Sequence, residues 1–496
     1  MGRPRTRART AQDGNDGEER ERGERALGAA TPHVARSEVR LCWPGRDDGA
    51  RAEAPPADLH VVERHREAPD VRLAHGDALA LAGALTREGL AGRVDLVYLD
   101  PPYFSDADYS LEARLDGTAD GRTRRAPAYG DRWARGGPAG SGGLAAYLGM
   151  LAPRLEALAA LLAPTGTFWV HLDWRASYLV RVLLDEIFGK DAFLNEIVWK
   201  RAPNLGRQAA SGQFGRTLDT LVVYGGPDAR LVPPTRPEPI ARGAVRFDAE
   251  GRAFTTAPRG DYTDASVERL EAEGRIFRAP SGKVYVKYFL QGDEETGYVR
   301  ERRVDALWND IPPLRHAAAS ERTGYPTQKP VALLERVLLS GSPPGGLVVD
   351  AFAGSGTTGE AALRTGRRAI LGDGGAVAIA TARARLLRAG ARLEVSRDAA
   401  LPAMDALPVV ATAERGARGE AIVRLVEPEE PLAWAIDPAP TALFPFSPTW
   451  HSERSLGKRV TPAARETTVA WAGGPLAVQV YADDGRVGHA RLEVRR

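Results

Sequence analysis

Asp100-Pro101-Pro102-Tyr103 puts a carboxylate, two residues without an N–H and an aromatic ring in four consecutive positions. The prolines fix φ and leave carbonyl oxygens bare, so the tetrapeptide presents acceptors in a preset geometry with a ring beside them. Such a site suits an NH2 group. An exocyclic amine on a nucleobase is a poor nucleophile, because its lone pair is delocalised into the ring. Accepting both of its protons, at the Asp100 carboxylate and the Pro101 carbonyl, favours a pyramidal nitrogen whose lone pair is free to attack. Tyr103 offers a face on which an unstacked base can rest.

A second constellation runs from Asp350 through Phe352-Ala353-Gly354-Ser355-Gly356-Thr357-Thr358-Gly359. Gly354, Gly356 and Gly359 satisfy G-x-G-x-x-G, and Asp373 follows at a distance where an acid can hold a ribose hydroxyl. Alone, the pattern implies a nucleoside-bearing cofactor over the loop, with a nicotinamide dinucleotide as the default ligand. A tight turn that serves only helix packing is the plain alternative.

These groups need a frame. Residues 93–100 form an apolar run that two prolines stop, since proline cannot donate to a ladder. Residues 166–173 form a second such run, leading into an amphipathic helix over 177–188 that ends near Gly189. Residues 347–351 and 368–372, with a helix over 358–364 between them, make a compact βαβ unit. The pattern predicts an α/β fold with a doubly wound, mostly parallel sheet. Along the chain it predicts a disordered tail over 1–35, a catalytic half over 36–224, an inserted module over 225–310, a cofactor half over 311–400 and a small β-rich domain over 401–496.

The chain has 496 residues, 43% apolar and 27% charged, an ordinary globular composition with room for several domains. No segment approaches eighteen uninterrupted apolar residues, and the charged N-terminus has no hydrophobic stretch behind it, so neither a membrane span nor a secretory signal is expected. Of the 67 basic residues only six are Lys. A coding bias and a use of Arg forks on phosphate both account for that.

With Asp100-Pro101-Pro102-Tyr103 upstream and Phe352 to Thr358 downstream, the chain resembles the β-class amino-methyltransferases of DNA, in which the catalytic half precedes the S-adenosylmethionine half. Further matches are Gly76-Asp77-Ala78-Leu79, His171-Leu172-Asp173-Trp174 and Tyr325-Pro326-Thr327-Gln328-Lys329-Pro330. Residues 195–201 and Asp310-Ile311-Pro312-Pro313 resemble the modification subunits of type III restriction systems and their solitary relatives. The resemblance covers roughly residues 60–395. It implies a Rossmann-like S-adenosylmethionine-dependent sheet with a target-recognition insert at 225–310. It implies that Asp100, Pro101, Pro102 and Tyr103 hold the amine and stack on the base, and that Phe352, Gly354 and Gly356, flanked by Asp350 and Thr357, hold the methionine end of the cofactor. It sets Asp373 near the ribose, although Gly374-Gly375 stand where the family often has Pro or Asn. Asp77 would meet the cofactor adenine, and Thr327 and Lys329 its carboxylate.

The single cysteine separates methylation chemistries. Carbon-5 of cytosine needs a thiolate adduct, and Cys42, beside the tail, has no evident activating neighbour. Direct transfer to an amine is expected, at adenine N6, with cytosine N4 as the alternative, because the tetrapeptide resembles adenine methylases more closely. His171 reads as a packed strand residue rather than a base, and Asp173 and Trp174 as walls of the base pocket or as core. Arg122, Arg124, Arg125, Lys200 and Arg201 are candidate phosphate contacts, and Arg275, Lys283 and Lys287 flank aromatic residues in the insert. A basic loop after the tetrapeptide could close over the flipped base. The partners implied are double-stranded DNA and, left open, a restriction or ATPase subunit and a second copy of the chain; no metal and no membrane are expected. A role mainly as the DNA-recognising subunit of a restriction complex stays open, since the chain carries no nuclease or helicase motif. A cytoplasmic, nucleoid-associated location is expected.

Overall fold

The computed structural model describes residues 39–46, 57–65, 68–114, 123–133, 143–202, 212, 214–417, 419–440, 445–454 and 461–495. The tail expected over 1–35 and Arg122 lie outside these residues.

From the N-terminal side come β1 (Leu59–Arg64), β2 (Val71–His75), α1 (Ala78–Arg87), β3 (Val94–Leu99), a hairpin of β4 (Ala107–Arg114) and β5 (Thr123–Asp131), α2 (Leu144–Ala159), β6 (Leu162–Leu172), α3 (Ser177–Phe188), β7 (Phe193–Lys200) and β8 (Leu218–Gly225). Next are β9 (Thr235–Ile240), β10 (Arg246–Phe247), β11 (Ala253–Pro258), α4 (Asp264–Ala272), β12 (Ile276–Arg278), β13 (Val284–Phe289), β14 (Gln291–Asp293) and β15 (Gly297–Arg303). They are followed by β16 (Leu307–Trp308), α5 (Val331–Gly341), β17 (Leu347–Asp350), α6 (Thr357–Arg364), β18 (Arg368–Asp373), α7 (Ala376–Arg388) and β19 (Leu393–Asp398). The last strands are β20 (Val410–Arg415), β21 (Glu420–Glu427), β22 (Ala433–Asp437), β23 (Trp450–Glu453), β24 (Glu466–Ala470), β25 (Leu476–Tyr481) and β26 (Val487–Leu492).

Ten strands make one sheet in the order β1-β19-β2-β18-β17-β3-β6-β8-β7-β16. It is parallel from β19 to β6, while β8 runs antiparallel to both of its neighbours. Side chains alternate across the pleat, so one strand feeds two cores. Leu96 and Tyr98 of β3 pack with Val348, Leu334, Val337 and Leu386 on the face of α5 to α7. Val97 and Leu99 pack with Val349, Leu85, Leu151, Leu155 and Leu183 on the face of α1 to α3. Each such fully buried Leu or Val contributes about 1.5–3 kcal/mol, which fixes the register of the central strands. From β3 the chain proceeds to one side, through β6, and from β17 to the other, through β18. The two motif-bearing loops therefore leave adjacent strands at the point where the winding reverses, on the carboxyl edge where open α/β sheets bind ligands.

Residues 235–303 form two sheets of their own, β10-β11-β13-β12 and β14-β15-β9, and β9 pairs with β15 to close the excursion. The insert expected over 225–310 thus differs at its end. Trp308 is buried, its ring 6.4 Å from that of Trp169, and this apolar contact draws Leu307–Trp308 onto the central sheet parallel to β7.

The C-terminal strands form two sheets, β20-β21-β24 and β23-β22-β25-β26, around a core that includes Val423, Trp434, Ile436, Val478 and Val480. The junction with the larger sheet is charged and buried. Glu63 of β1 accepts from Arg383 of α7 at 2.5 and 2.8 Å and from the hydroxyl of Tyr481, and it also meets His65. Burial alone would raise the Glu63 pKa, but the Arg383 guanidinium and His65 hold it well below the usual carboxylate range. Among the described residues, no helix is long and apolar enough to cross a membrane.

Candidate active site

Asp100 stands where β3 ends, and its carboxylate is doubly engaged. The Tyr103 hydroxyl donates to Oδ1 at 2.5 Å, and the Lys329 ammonium donates to Oδ2. Lys329 also reaches the Thr327 carbonyl at 3.3 Å and lies 5.1 Å from the centre of the Tyr103 ring. Pro101 is buried, and the Pro102 carbonyl accepts from the Tyr147 hydroxyl at 2.9 Å.

The segment after the tetrapeptide is gathered by a residue that sequence reasoning missed. Asp131, buried at the end of β5, accepts the backbone N–H groups of Tyr103, Phe104 and Ser105 at 3.2, 3.1 and 2.7 Å. The Ser105 hydroxyl and the Trp133 indole N–H donate to it as well, at 2.6 and 2.8 Å. Phe104 has a φ of 60°, a left-handed conformation that costs a non-glycine residue about 1–3 kcal/mol, and this cluster of hydrogen bonds offsets it. Arg124 and Arg125, expected on a flexible basic loop, lie on strand β5 of the hairpin that delivers Asp131. Leu111, Ala126 and Ala128 of the hairpin pack on Tyr325 and on Val377 and Ala378 of α7. Residues 115–122 lie outside the described residues.

The glycine loop leaves β17 beside it. Asp350 is buried and accepts from the Phe352 N–H at 2.9 Å and the Thr358 hydroxyl at 2.5 Å. Burial pushes its pKa up to about 7, with the charges of Asp100 and Asp373 adding to the rise. Asp373, at the end of β18, accepts from the N–H groups of Gly354 and Gly375 at 2.9 and 2.8 Å, and burial pushes its pKa up to about 6. Thr357 faces Arg385, which donates to its hydroxyl at 2.9 Å.

A cleft lies between the two loops, lined by Asp100, Pro102, Thr327, Lys329, Asp350, Phe352, Gly354, Thr357 and Asp373 among the expected residues. Tyr98, Tyr129 and Tyr325 complete its aromatic wall; Tyr129, from the hairpin, hydrogen-bonds the Thr327 hydroxyl at 3.0 Å. Aromatic walls, a glycine loop opening a helix, one acid at the end of the next strand and one ammonium fit a nucleoside with an amino-acid tail.

Four expected residues are not among those lining the cleft. Pro101 is buried, and half-buried Tyr103 stands behind Asp100 with its ring 6.1 Å from that of His171. Asp77 caps α1 by accepting from the Leu79 N–H at 2.8 Å and pairs with Arg154 at 2.5 Å. Gly356, at φ +76°, faces α7, where a Cβ would sit 2.9 Å from that of Ala382. The left-handed turn and the close packing on α7 both call for a glycine here.

The phosphate candidates are mostly committed elsewhere. Arg124 pairs with Asp483 at 3.5 Å, Arg125 with Glu112, and Arg201 with Asp219 at 2.6 Å, while Lys200 is exposed at the end of β7. In the insert, Arg275 meets Glu273 at 3.7 Å and Lys287 lies 5.0 Å from the Phe254 ring. His171 is buried between the Tyr98 hydroxyl at 2.9 Å and Asp219 at 3.2 Å. Asp173 caps the following turn through the Arg175 N–H at 2.9 Å. Trp174 is 46% exposed beneath Arg216, which excludes the core reading of that residue.

Residues 94–382 match the family described as DNA methylase. The chain is 27% identical over 315 residues to the type II methyltransferase M.EcaI of Enterobacter cloacae, covering 58% of this chain and 63% of that one. It is 25% identical over 332 residues to the type III restriction-modification enzyme StyLTI Mod subunit of Salmonella typhimurium, covering 55% and 47%. It is 49% identical over 107 residues to the DNA adenine methyltransferase YhdJ of Escherichia coli, covering 22% and 36%. The chain thus spans less than two thirds of each of these relatives. The family match takes in more than half of the chain and both motif loops, from β3 into α7, and this protein belongs to the DNA methylase family.

Proposed function

We propose that this protein moves the methyl group of S-adenosylmethionine to the exocyclic N6 amine of an adenine turned out of double-stranded DNA. The observation that carries this reading is the position of the Asp100 carboxylate on the wall of the same cleft as the glycine loop. S-adenosylmethionine supplies, when bound, a methyl group on a positively charged sulfur. Phe352 and Gly354 would hold its methionine end, Asp373 its ribose, and Thr327 and Lys329 its carboxylate. Asp100 accepts a proton of the target amine by hydrogen bond and frees the nitrogen lone pair for attack, stabilising the positive charge that develops there. Asp131 fixes the backbone that carries Tyr103, so Asp100 and its neighbours do not have to be ordered at the moment of reaction. The likeness to YhdJ supports adenine as the acceptor, and the likeness to a Mod subunit supports a restriction subunit and self-association as further partners. Work on DNA implies a place beside the nucleoid.

Tritiated S-adenosylmethionine and methylation-free DNA test the proposal. Digestion to nucleosides should place the label in N6-methyladenine. Label in N4-methylcytosine would move the acceptor to cytosine, and no incorporation would overturn the reading. Asp100→Ala should lower transfer by roughly 10²–10³-fold. Its affinity for S-adenosylhomocysteine, measured by isothermal titration, should not fall, because the carboxylate removed holds the target amine and not the cofactor.

A further inference from the structure

Both oxygens of the Asp100 carboxylate already have donors, the Tyr103 hydroxyl on one and the Lys329 ammonium on the other. Lys329 is 9% exposed at its side chain, so its bond to Asp100 is shielded from water. A charge-assisted hydrogen bond is about twice as strong as a neutral one, and a neutral amine competing for the same oxygen loses to the ammonium. The other carboxylates of the cleft offer Lys329 little. Asp350 and Asp373 are gathered by backbone N–H groups and a hydroxyl, and burial biases both towards the neutral form. An anion brought into the cleft by a ligand is a different matter, since Lys329 lines that cleft on a flexible four-carbon stem.

We propose that Lys329 couples the cofactor to the target base: it occupies Asp100 in the free enzyme and is drawn off by the carboxylate of the bound cofactor, so that the amine gains Asp100 only in the loaded enzyme. This rests on the reading of the cleft as an S-adenosylmethionine site. Lys329 is then a positioning residue, and its effect is a coupling between two bindings, which must be equal in both directions.

The test runs in two steps on the full-length protein. Sequencing of DNA that the enzyme has methylated identifies the target, and absence of methylation at this step would overturn the function and not the coupling. A duplex with 2-aminopurine at that target then reports flipping. With wild type, S-adenosylhomocysteine should strengthen the flipped complex by about 5–150-fold, and the duplex should tighten S-adenosylhomocysteine by the same factor. 5′-Methylthioadenosine, which lacks the carboxylate, should give a factor near one. Lys329→Met should flip the base equally with and without S-adenosylhomocysteine, and Lys329→Gln should do the same if the Met variant fails to fold. Lys329→Arg, which keeps the charge, should retain the coupling. Equal flipping by wild type with and without cofactor, full coupling by 5′-methylthioadenosine, or undiminished coupling in Lys329→Met would each overturn the proposal.

Discussion

Two loops leave neighbouring strands of the central sheet, and each is held by carboxylates that collect donors, yet the carboxylates come from different places. The glycine loop is gathered by Asp350 and Asp373, which end β17 and β18, the strands flanking α6. The catalytic loop is gathered by Asp131, which a separate hairpin brings back to Tyr103, Phe104 and Ser105. The first loop is thus built by its own βαβ unit, and the second depends on a distant excursion of the chain. Asp100 takes side chains, Tyr103 and Lys329, as its partners, whereas Asp350 and Asp373 take backbone N–H groups of the glycine loop.

The sharpest way to break this comparison is Asp131→Ala. It removes one acceptor from three backbone N–H groups, a hydroxyl and an indole, and methyl transfer should fall by roughly 100-fold through misplacement of the tetrapeptide. Affinity for S-adenosylhomocysteine, measured by titration, should hold; an equal fall in affinity would show that the two loops are not held separately.

A smaller effect is expected at Gly356. Gly356→Ala should lower stability by about 1–3 kcal/mol in denaturant unfolding, through overpacking against α7. Adding Ala382→Gly should recover part of that loss, as a contact shared by the two residues requires. A full loss of cofactor binding with unchanged stability would restore the glycine to the ligand.

The mildest prediction uses pH. The folded-state pKa of Asp350 is about 7 against an ordinary 3.8, so the folded chain keeps a proton that the unfolded chain has lost. Its contribution is present at low pH and is lost as pH rises towards 7. Asp350→Asn should flatten that decline, and thermal unfolding should find the variant's Tm a few degrees above wild type at pH 8 but level with it near pH 4. An unchanged slope would mean that Asp350 is not carrying it.

What could be read beforehand follows the same division. Asp100-Pro101-Pro102-Tyr103, the glycine loop and Asp373 are local patterns, and the apolar runs that end in them place all three on one sheet edge. Asp131 and Tyr129 escaped because nothing near them in the chain marks them; their meaning depends on where the hairpin docks, which the packing of Leu111 and Ala126 on Tyr325 decides. The pairing of Arg124 with Asp483 was not legible because a basic residue does not announce its partner, and Asp483 lies in the C-terminal domain. At Asp77 the sequence could not separate two roles, because capping a helix and meeting an adenine call for the same residue type at the same place.

The charged junction at Glu63 bears on how the chain is made. Its partners Arg383 and Tyr481 lie 320 and 418 residues further on. At a synthesis rate of about 5–20 residues per second, Glu63 leaves the ribosome roughly 20–80 s before Tyr481 does. Until residues 383–398 are made, that carboxylate lacks Arg383 and β1 has no β19 to pair with, and Tyr481 comes later still. The first strand made is therefore among the last to settle. Shortening the chain at its C-terminal end would expose a seam at the edge of the central sheet, where nascent chains are most prone to cling to one another.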